Sequence, residues 1–534
     1  MGTAQIANPV LRGFNPDPSI LHVGEDYYIA TSTFEWCPGV AIHHSRDLVH
    51  WRLLTHAVTH QIDLRGNPDS GGIWAPCLTH DGERFHLIYT DVKFWSEVNY
   101  FKDSHNYLTT SADIMGPWSQ PVYMNSSGFD PSLFHDADGR KWFLNALWDH
   151  RKGKNKFGGI LIQEYDPKQQ RLVGPVHNIF KGTPLRVTEA PHLYRHGGWY
   201  HLMTAEGGTA YKHAVTMARS RELLGPYEVD PENPMLTAFN RPDLPIQKAG
   251  HASLVQTQTG EWYLAHLCGR PLAEAGHEAA PRCNLGRETA LQRVQWSADG
   301  WLRLSGGGNH PRALVDAPDL PAHPWEPVPA RDDFDASSLA VQWSTLRVPP
   351  DRSWCSLEAR AGFLRLIGRE SPSSRNTQSL VARRLQSQRA RVTTTLEFDP
   401  QNFQQMAGLI LYYDTSNYLY LRVSWDETHG RSLGIITMEG GQYDQPLEAE
   451  IPLLEARVHL RATFDFVTVQ FAYSLDGETW LEVGAAMEAG KLSDEHGHLL
   501  GFTGTFLGMC AQDLSGLGLH ADFDSFAYEE SWAG

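Results

Sequence analysis

The sequence predicts an all-β protein of two domains: a five-bladed β-propeller over residues 1–310, a proline-rich linker over 311–331, and a jelly-roll or lectin-like β-sandwich over 332–534. Three observations predict it. A short motif recurs five times in the first 310 residues, prolines cluster immediately afterwards, and alternating apolar runs fill the remainder with few segments of helical period. At 534 residues the chain is also longer than one hydrophobic core comfortably serves.

The motif opens at Asp17-Pro18-Ser19-Ile20, Ala75-Pro76-Cys77-Leu78, Asp130-Pro131-Ser132-Leu133, Ala190-Pro191-His192-Leu193 and His251-Ala252-Ser253-Leu254, at intervals of 58, 55, 60 and 61 residues. Each copy leads into an aromatic strand: Tyr27-Tyr28-Ile29, Phe85-His86-Leu87, Trp142-Phe143-Leu144, Trp199-Tyr200-His201 and Trp262-Tyr263-Leu264. Glycine or Asp-Gly between the two segments (Gly24, Asp81-Gly82, Asp138-Gly139, Gly197-Gly198, Gly260) is hairpin chemistry. Units of about 60 residues hold four short strands, which is one propeller blade. A solenoid would need shorter, more regular repeats and capping units.

After Ser305-Gly306-Gly307-Gly308, prolines at 311, 318, 321, 324, 327 and 329 form a stiff connector hostile to helix and to central strand. Beyond Asp332 the period becomes two: Val458, Leu460, Ala462 and Phe464 alternate, as do Val467, Val469, Phe471 and Tyr473, before an Asp476-Gly477 turn.

Acidic side chains outnumber basic ones 62 to 45, giving a formal net charge of -17. That charge opposes nucleic acid and anionic membrane as partners, and no apolar run of spanning length occurs. The first residues lack a basic and an apolar signal region, so a cytoplasmic protein is expected. The cysteines, Cys37, Cys77, Cys268, Cys283, Cys355 and Cys510, are dispersed without a C-x-x-C pair, and reduced, mostly buried thiols are expected.

In a propeller the innermost strands line one channel, so equivalent repeat positions converge on an axis. Around that ring fall Asp17, Trp74, Asp130, Glu189 and His251. An Asp-Pro turn taken alone is ordinary structural chemistry, because Asp caps turns and Pro fixes the following φ. Three carboxylates in one phase are a different matter. Glycoside hydrolysis needs an acid to protonate the leaving oxygen and a second carboxylate to attack the sugar or activate water, and crowding such groups raises at least one pKa. Trp74 and Phe129 share the ring and Phe34 follows the first aromatic strand; each offers a flat face to a pyranose, with core packing as the competing role. His251 suits a hydrogen-bonding or structural role.

Gly13-Phe14-Asn15-Pro16-Asp17-Pro18-Ser19, Gly128-Phe129-Asp130-Pro131-Ser132 and Thr188-Glu189-Ala190-Pro191-His192 together resemble glycoside hydrolase family 43. Phe502-Thr503-Gly504-Thr505-Phe506-Leu507-Gly508-Met509 and Asp513-Leu514-Ser515-Gly516 resemble the two-domain β-xylosidases of that family. The resemblance implies an inverting enzyme releasing xylose from non-reducing ends of β-1,4-xylo-oligosaccharides, with Asp17 as general base, Glu189 as general acid and Asp130 tuning and orienting the acid. It also implies that Arg287, in Leu285-Gly286-Arg287, grips sugar hydroxyls, and that a sandwich loop carrying Phe506 closes the pocket. Relatives imply a homo-oligomer, dimer or tetramer, and calcium occurs in some of them; near His251 no local oxygen cluster supports such a cation, so no cofactor or metal is expected to be required. The rival readings are an α-L-arabinofuranosidase, on the same carboxylates, and a sugar-binding propeller without catalysis, which would have no use for three phased carboxylates. Invertase-like families, with a Glu-Cys pair where Glu189-Ala190 stands here, are disfavoured.

Overall fold

The computed structural model describes residues 4–96, 100–272, 281–496 and 501–530, and its regular elements are strands apart from one short 3-10 turn, Ala489–Lys491. Five antiparallel sheets, each cut from a contiguous stretch of chain, form the propeller blades. Their innermost strands are Ser19–Val23, Gly72–His80, Gly128–His135, Glu189–His196 and Gln247–Gln256, and each touches its neighbours, the last closing on the first. The fourth blade carries one extra short strand, Leu236–Thr237.

Hydroxyls stitch blade to blade at the hub. Ser253 Oγ accepts from the Ile20 amide at 2.9 Å and donates to the Pro18 carbonyl at 2.9 Å. Ser19 Oγ accepts from the Leu78 amide at 2.9 Å, and Ser32 Oγ from the Ala75 amide at 2.7 Å. The N-terminal segment locks first blade to last: Asn8 exchanges side-chain hydrogen bonds of 2.7 and 2.8 Å with the Leu291 backbone, and Thr289 Oγ1 donates to the Asn15 carbonyl at 2.6 Å.

The repeated motif has one backbone conformation. Its opening residues, Asp17, Ala75, Asp130, Ala190 and His251, all take positive φ, between 39° and 56°. In four of the blades the register of the inner strand slips at that point, at Trp74/Cys77, Phe129/Ser132, Glu189/His192 and Gly250/Ala252. Such bulges re-aim side chains, and holding a non-glycine residue there costs roughly 1–3 kcal/mol. The same strain five times over is sustained by the closed ring.

Within the linker, Leu314–Asp316 pairs antiparallel with Gln5–Ala7 to make a two-stranded ribbon, where flanking prolines break no central ladder. Farther on, Trp325 lies against the first blade, under the Arg52 guanidinium at 3.8 Å, with its indole N–H donating to the His50 carbonyl.

Two antiparallel sheets form the sandwich around a core that includes Leu409, Leu421, Val458, Leu460, Phe464 and Phe523. The strand Arg457–Asp465 is buried at alternate residues, as its sequence pattern requires. One sheet ends on a strand from the propeller: Trp36–Cys37 pairs with Ser344–Leu346. Around that junction Phe14, Phe34, Trp36, Tyr412 and Phe506 form an apolar cluster shared by both domains. Beside it the fully buried Arg347 donates to Asp69 Oδ1 at 2.8 Å and to the Asn67 carbonyl at 3.2 Å. All six cysteines are buried and unpaired, and among the described residues no helix is long and apolar enough to cross a membrane.

Candidate active site

A cavity of about 190 Å³ opens at the hub and is lined by Asp17, Asp130, Glu189, Phe34, Trp74, Phe129, His251 and Arg287, with Lys102, Phe157, Val187, Gly208, Thr209 and Phe502. Eight of the nine residues singled out in the sequence therefore meet in one place. The three carboxylates come from three different blades: Asp130 and Glu189 stand at the bulges of their inner strands, and Asp17 stands two residues before its own at positive φ.

Their environments differ. Asp17 is 5% exposed. Burial raises its pKa, but its partners, three of them close by and His213 farther off, outweigh that and hold the carboxyl below its ordinary range. The close three are Arg287, whose Nη1 lies 3.2 Å from Oδ1; His251, whose Nδ1 lies 3.5 Å from Oδ1; and Ser32, whose hydroxyl donates to Oδ2 at 2.6 Å. Among the described residues no arginine lies within ion-pair distance of Asp130, and Arg287 acts on it only from farther off. Burial and the negative charge of Asp17 push it up to about 7 against the pull of Lys102 and the Ala190 amide. Glu189 is held well above the usual glutamate range, first by burial and next by Asp130, while Lys102 opposes the shift. One site thus keeps Asp17 ionised and favours the protonated form of Glu189.

Lys102, unmarked by any repeat in the sequence, stands over three rings, Trp74 at 4.7 Å, Phe129 at 4.2 Å and Trp148 at 4.5 Å. Burial lowers its pKa to about 8, and the nearby Glu189 and Asp130 limit the drop.

Arg287 is held on three sides. Besides Asp17 it donates to Thr209 Oγ1 at 2.8 Å and to the Phe502 carbonyl at 2.8 Å, with Asp494 4.0 Å from Nε. The preceding Gly286, at φ +76°, permits this: a Cβ there would stand 2.3 Å from the Thr503 carbonyl oxygen. Phe34 and Trp74 form the aromatic wall at 5.7 Å, and Phe129 meets Trp74 edge-on at 5.9 Å.

The sandwich does reach the pocket, but through Phe502 and not through Phe506. Phe502 packs 5.5 Å from Trp74 and 6.2 Å from Phe34, and its amide donates to Ser70 Oγ at 3.0 Å. Phe506 is fully buried, stacked on Trp36 at 3.8 Å and 5.8 Å from Phe14. It is the first residue of the strand Phe506–Asp513, so sheet pairing fixes its ring in the interdomain core, and the irregular chain just before it is what overhangs the cavity.

His251 contacts Asp17 as described, and burial lowers its pKa. Among the described residues no group of three or more His, Cys, Asp or Glu side chains is disposed to hold a metal ion.

The model of Glycosyl hydrolases family 43 matches residues 6–302, and that of the Beta xylosidase C-terminal Concanavalin A-like domain matches residues 331–529. The chain is 50% identical over 535 residues to a Beta-xylosidase of Bacillus subtilis (strain 168), covering 98% of this chain and 100% of that one. It is 49% identical over 538 residues to Xylosidase/arabinosidase 43B of Humicola insolens, covering 98% and 97%. The crystal structure of xylan beta-1,4-xylosidase from Bacillus halodurans C-125 superposes with a TM-score of 0.96 at 56% identity, covering 98% and 100%.

Proposed function

The chain belongs to glycosyl hydrolases family 43, and from that premise we propose that it is an inverting exo-glycosidase releasing xylose from the non-reducing ends of β-1,4-xylo-oligosaccharides. The observation that carries this reading is the contrast between carboxyls in one cavity: Asp17 is held ionised by Arg287, His251 and Ser32, whereas Glu189 is driven toward its protonated form. A general base and a general acid are needed in those two states at the start of the reaction.

Asp17 takes a proton from water as that water attacks the anomeric carbon. Glu189 gives its proton to the departing glycosidic oxygen on the other side. Asp130 raises the proton affinity of Glu189 through its charge, and Lys102 offsets the carboxylate that Glu189 becomes after transfer. Trp74, Phe129, Phe34 and Phe502 supply apolar faces for the sugar ring, and Arg287 supplies a fixed guanidinium edge for hydroxyls. At about 190 Å³ the cavity is well below the roughly 300–1,000 Å³ of pockets for larger ligands, which supports trimming of single residues from chain ends.

Fresh product from xylobiose, followed by proton NMR, should show the α-anomer of xylose first; initial β-xylose would overturn inversion. Glu189→Gln should lower kcat on xylobiose by about 10²–10⁴-fold and lower it far less on a dinitrophenyl xyloside, whose leaving group needs no proton. Equal losses on both substrates would remove Glu189 from the acid's role.

The second reading, α-L-arabinofuranosidase, rests on the similarity to a Xylosidase/arabinosidase. Turnover of nitrophenyl arabinofuranoside about tenfold above that of the xyloside, in kcat/KM, would make it the primary activity.

A further inference from the structure

A second cavity, of about 620 Å³, lies between the first blade, the linker and the sandwich, and shares no lining residue with the catalytic pocket. Four arginines line it, Arg12, Arg52, Arg383 and Arg384, against two acids, Glu326 and Glu530, in a chain whose net charge is -17. Arg12 is satisfied by Glu530 at 2.6 Å, and Arg52 stacks on Trp325.

Arg383 and Arg384 are different. They are 9% and 6% exposed, and among the described residues neither has a carboxylate within ion-pair distance. Arg384 donates from Nε to the Phe14 carbonyl at 2.6 Å and leaves Nη2 buried without a partner. Arg383 donates from Nη2 to Gln386 Oε1 at 3.2 Å, lies over the Tyr528 ring at 4.2 Å, and leaves Nε without a partner. Both ring nitrogens of His43, on the same cavity, are also unpartnered. Adjacent residues of a strand face opposite ways, yet both of these, the last two of the strand Ser379–Arg384, line the one cavity.

Two buried guanidinium groups with no carboxylate in contact are costly, although Glu530 and Asp332 act on Arg383 from farther off, and the planar fork of arginine matches the oxygens of phosphate and carboxylate. We propose that this interdomain cavity binds an oxyanion through Arg383 and Arg384, either a free tetrahedral anion such as phosphate or the carboxylate of a sugar acid. Arg384 anchors Phe14, whose ring packs 5.6 Å from Phe34 of the active site and which precedes Asp17 by three residues.

Phosphate and glucuronate, each titrated into the full-length protein at constant ionic strength, provide the test by thermal shift and calorimetry. At least one of them should raise Tm saturably, and Arg383→Gln and Arg384→Gln should each weaken its binding by roughly tenfold or more, the loss of a charge-assisted contact. Tighter binding of phosphate identifies the free anion as the ligand; tighter binding of glucuronate identifies the sugar acid. Arg383→Gln leaves the bond from Arg384 to Phe14 intact, so it keeps the test readable should the Arg384 variant fail to fold. No saturable effect of either anion on the parent protein, or undiminished binding by Arg383→Gln, would overturn the proposal.

Discussion

Glu189 and Asp17 carry opposite shifts for identifiable reasons, so the pH dependence of kcat/KM has a predictable shape. As the proposed base, Asp17 must be ionised; its partners depress its pKa, and the acidic limb should fall below the ordinary aspartate range. As the proposed acid, Glu189 must be protonated; burial and Asp130 raise its pKa, and the alkaline limb should lie above the ordinary glutamate range. Asp130→Asn removes a negative charge that favours the proton on Glu189, so the alkaline limb should move to lower pH while the acidic limb keeps its place or moves lower still, Asp17 having lost a like-charged neighbour. A pH–rate profile of the variant checks this, and an alkaline limb moving upward would contradict it. The limbs belong to the coupled set of carboxyls and not to isolated residues.

The bulged inner strand is the element that made the site legible from sequence. Its opening residue recurs with the Pro-containing motif, so equivalent positions could be aligned without coordinates, and the ring of Asp17, Trp74, Asp130, Glu189 and His251 followed. Lys102, Thr209 and Phe502 were not legible, because they sit on connections that carry no repeat and reach the cavity only through tertiary packing. Phe506 was misassigned by four residues, since nothing local marks where the irregular chain ends and the strand begins. The two-residue strand Trp36–Cys37 was equally hidden, its partner lying more than three hundred residues away. At the loop over the pocket, Gly286 is the sensitive position. Gly286→Ala places a methyl against the Thr503 carbonyl at a strained φ, and should destabilise the fold by about 1–3 kcal/mol and raise KM more than it lowers kcat, by displacing Arg287 and Phe502. Denaturant unfolding and steady-state kinetics on the same variant check both.

The whole molecule behaves as two domains with one joint interior. Arg347 of the sandwich is fully buried against the propeller, and Arg347→Ala should cost about 3 kcal/mol, at the low end for a broken buried pair because Arg375 and Thr415 still contact Asp69. Unfolding of this variant should also lose coincidence between probes of the two domains, which chemical denaturation followed by two signals would detect. The short strand that the propeller lends to the sandwich has a further consequence for ancestry and engineering. A crossover placed in the proline-rich connector keeps each polypeptide half whole yet severs a ladder whose two sides lie far apart in the gene. Chimeras assembled from divergent parents will therefore need Trp36, Cys37 and their facing residues to travel together, and the pair of domains is better regarded as a single heritable unit than as interchangeable modules.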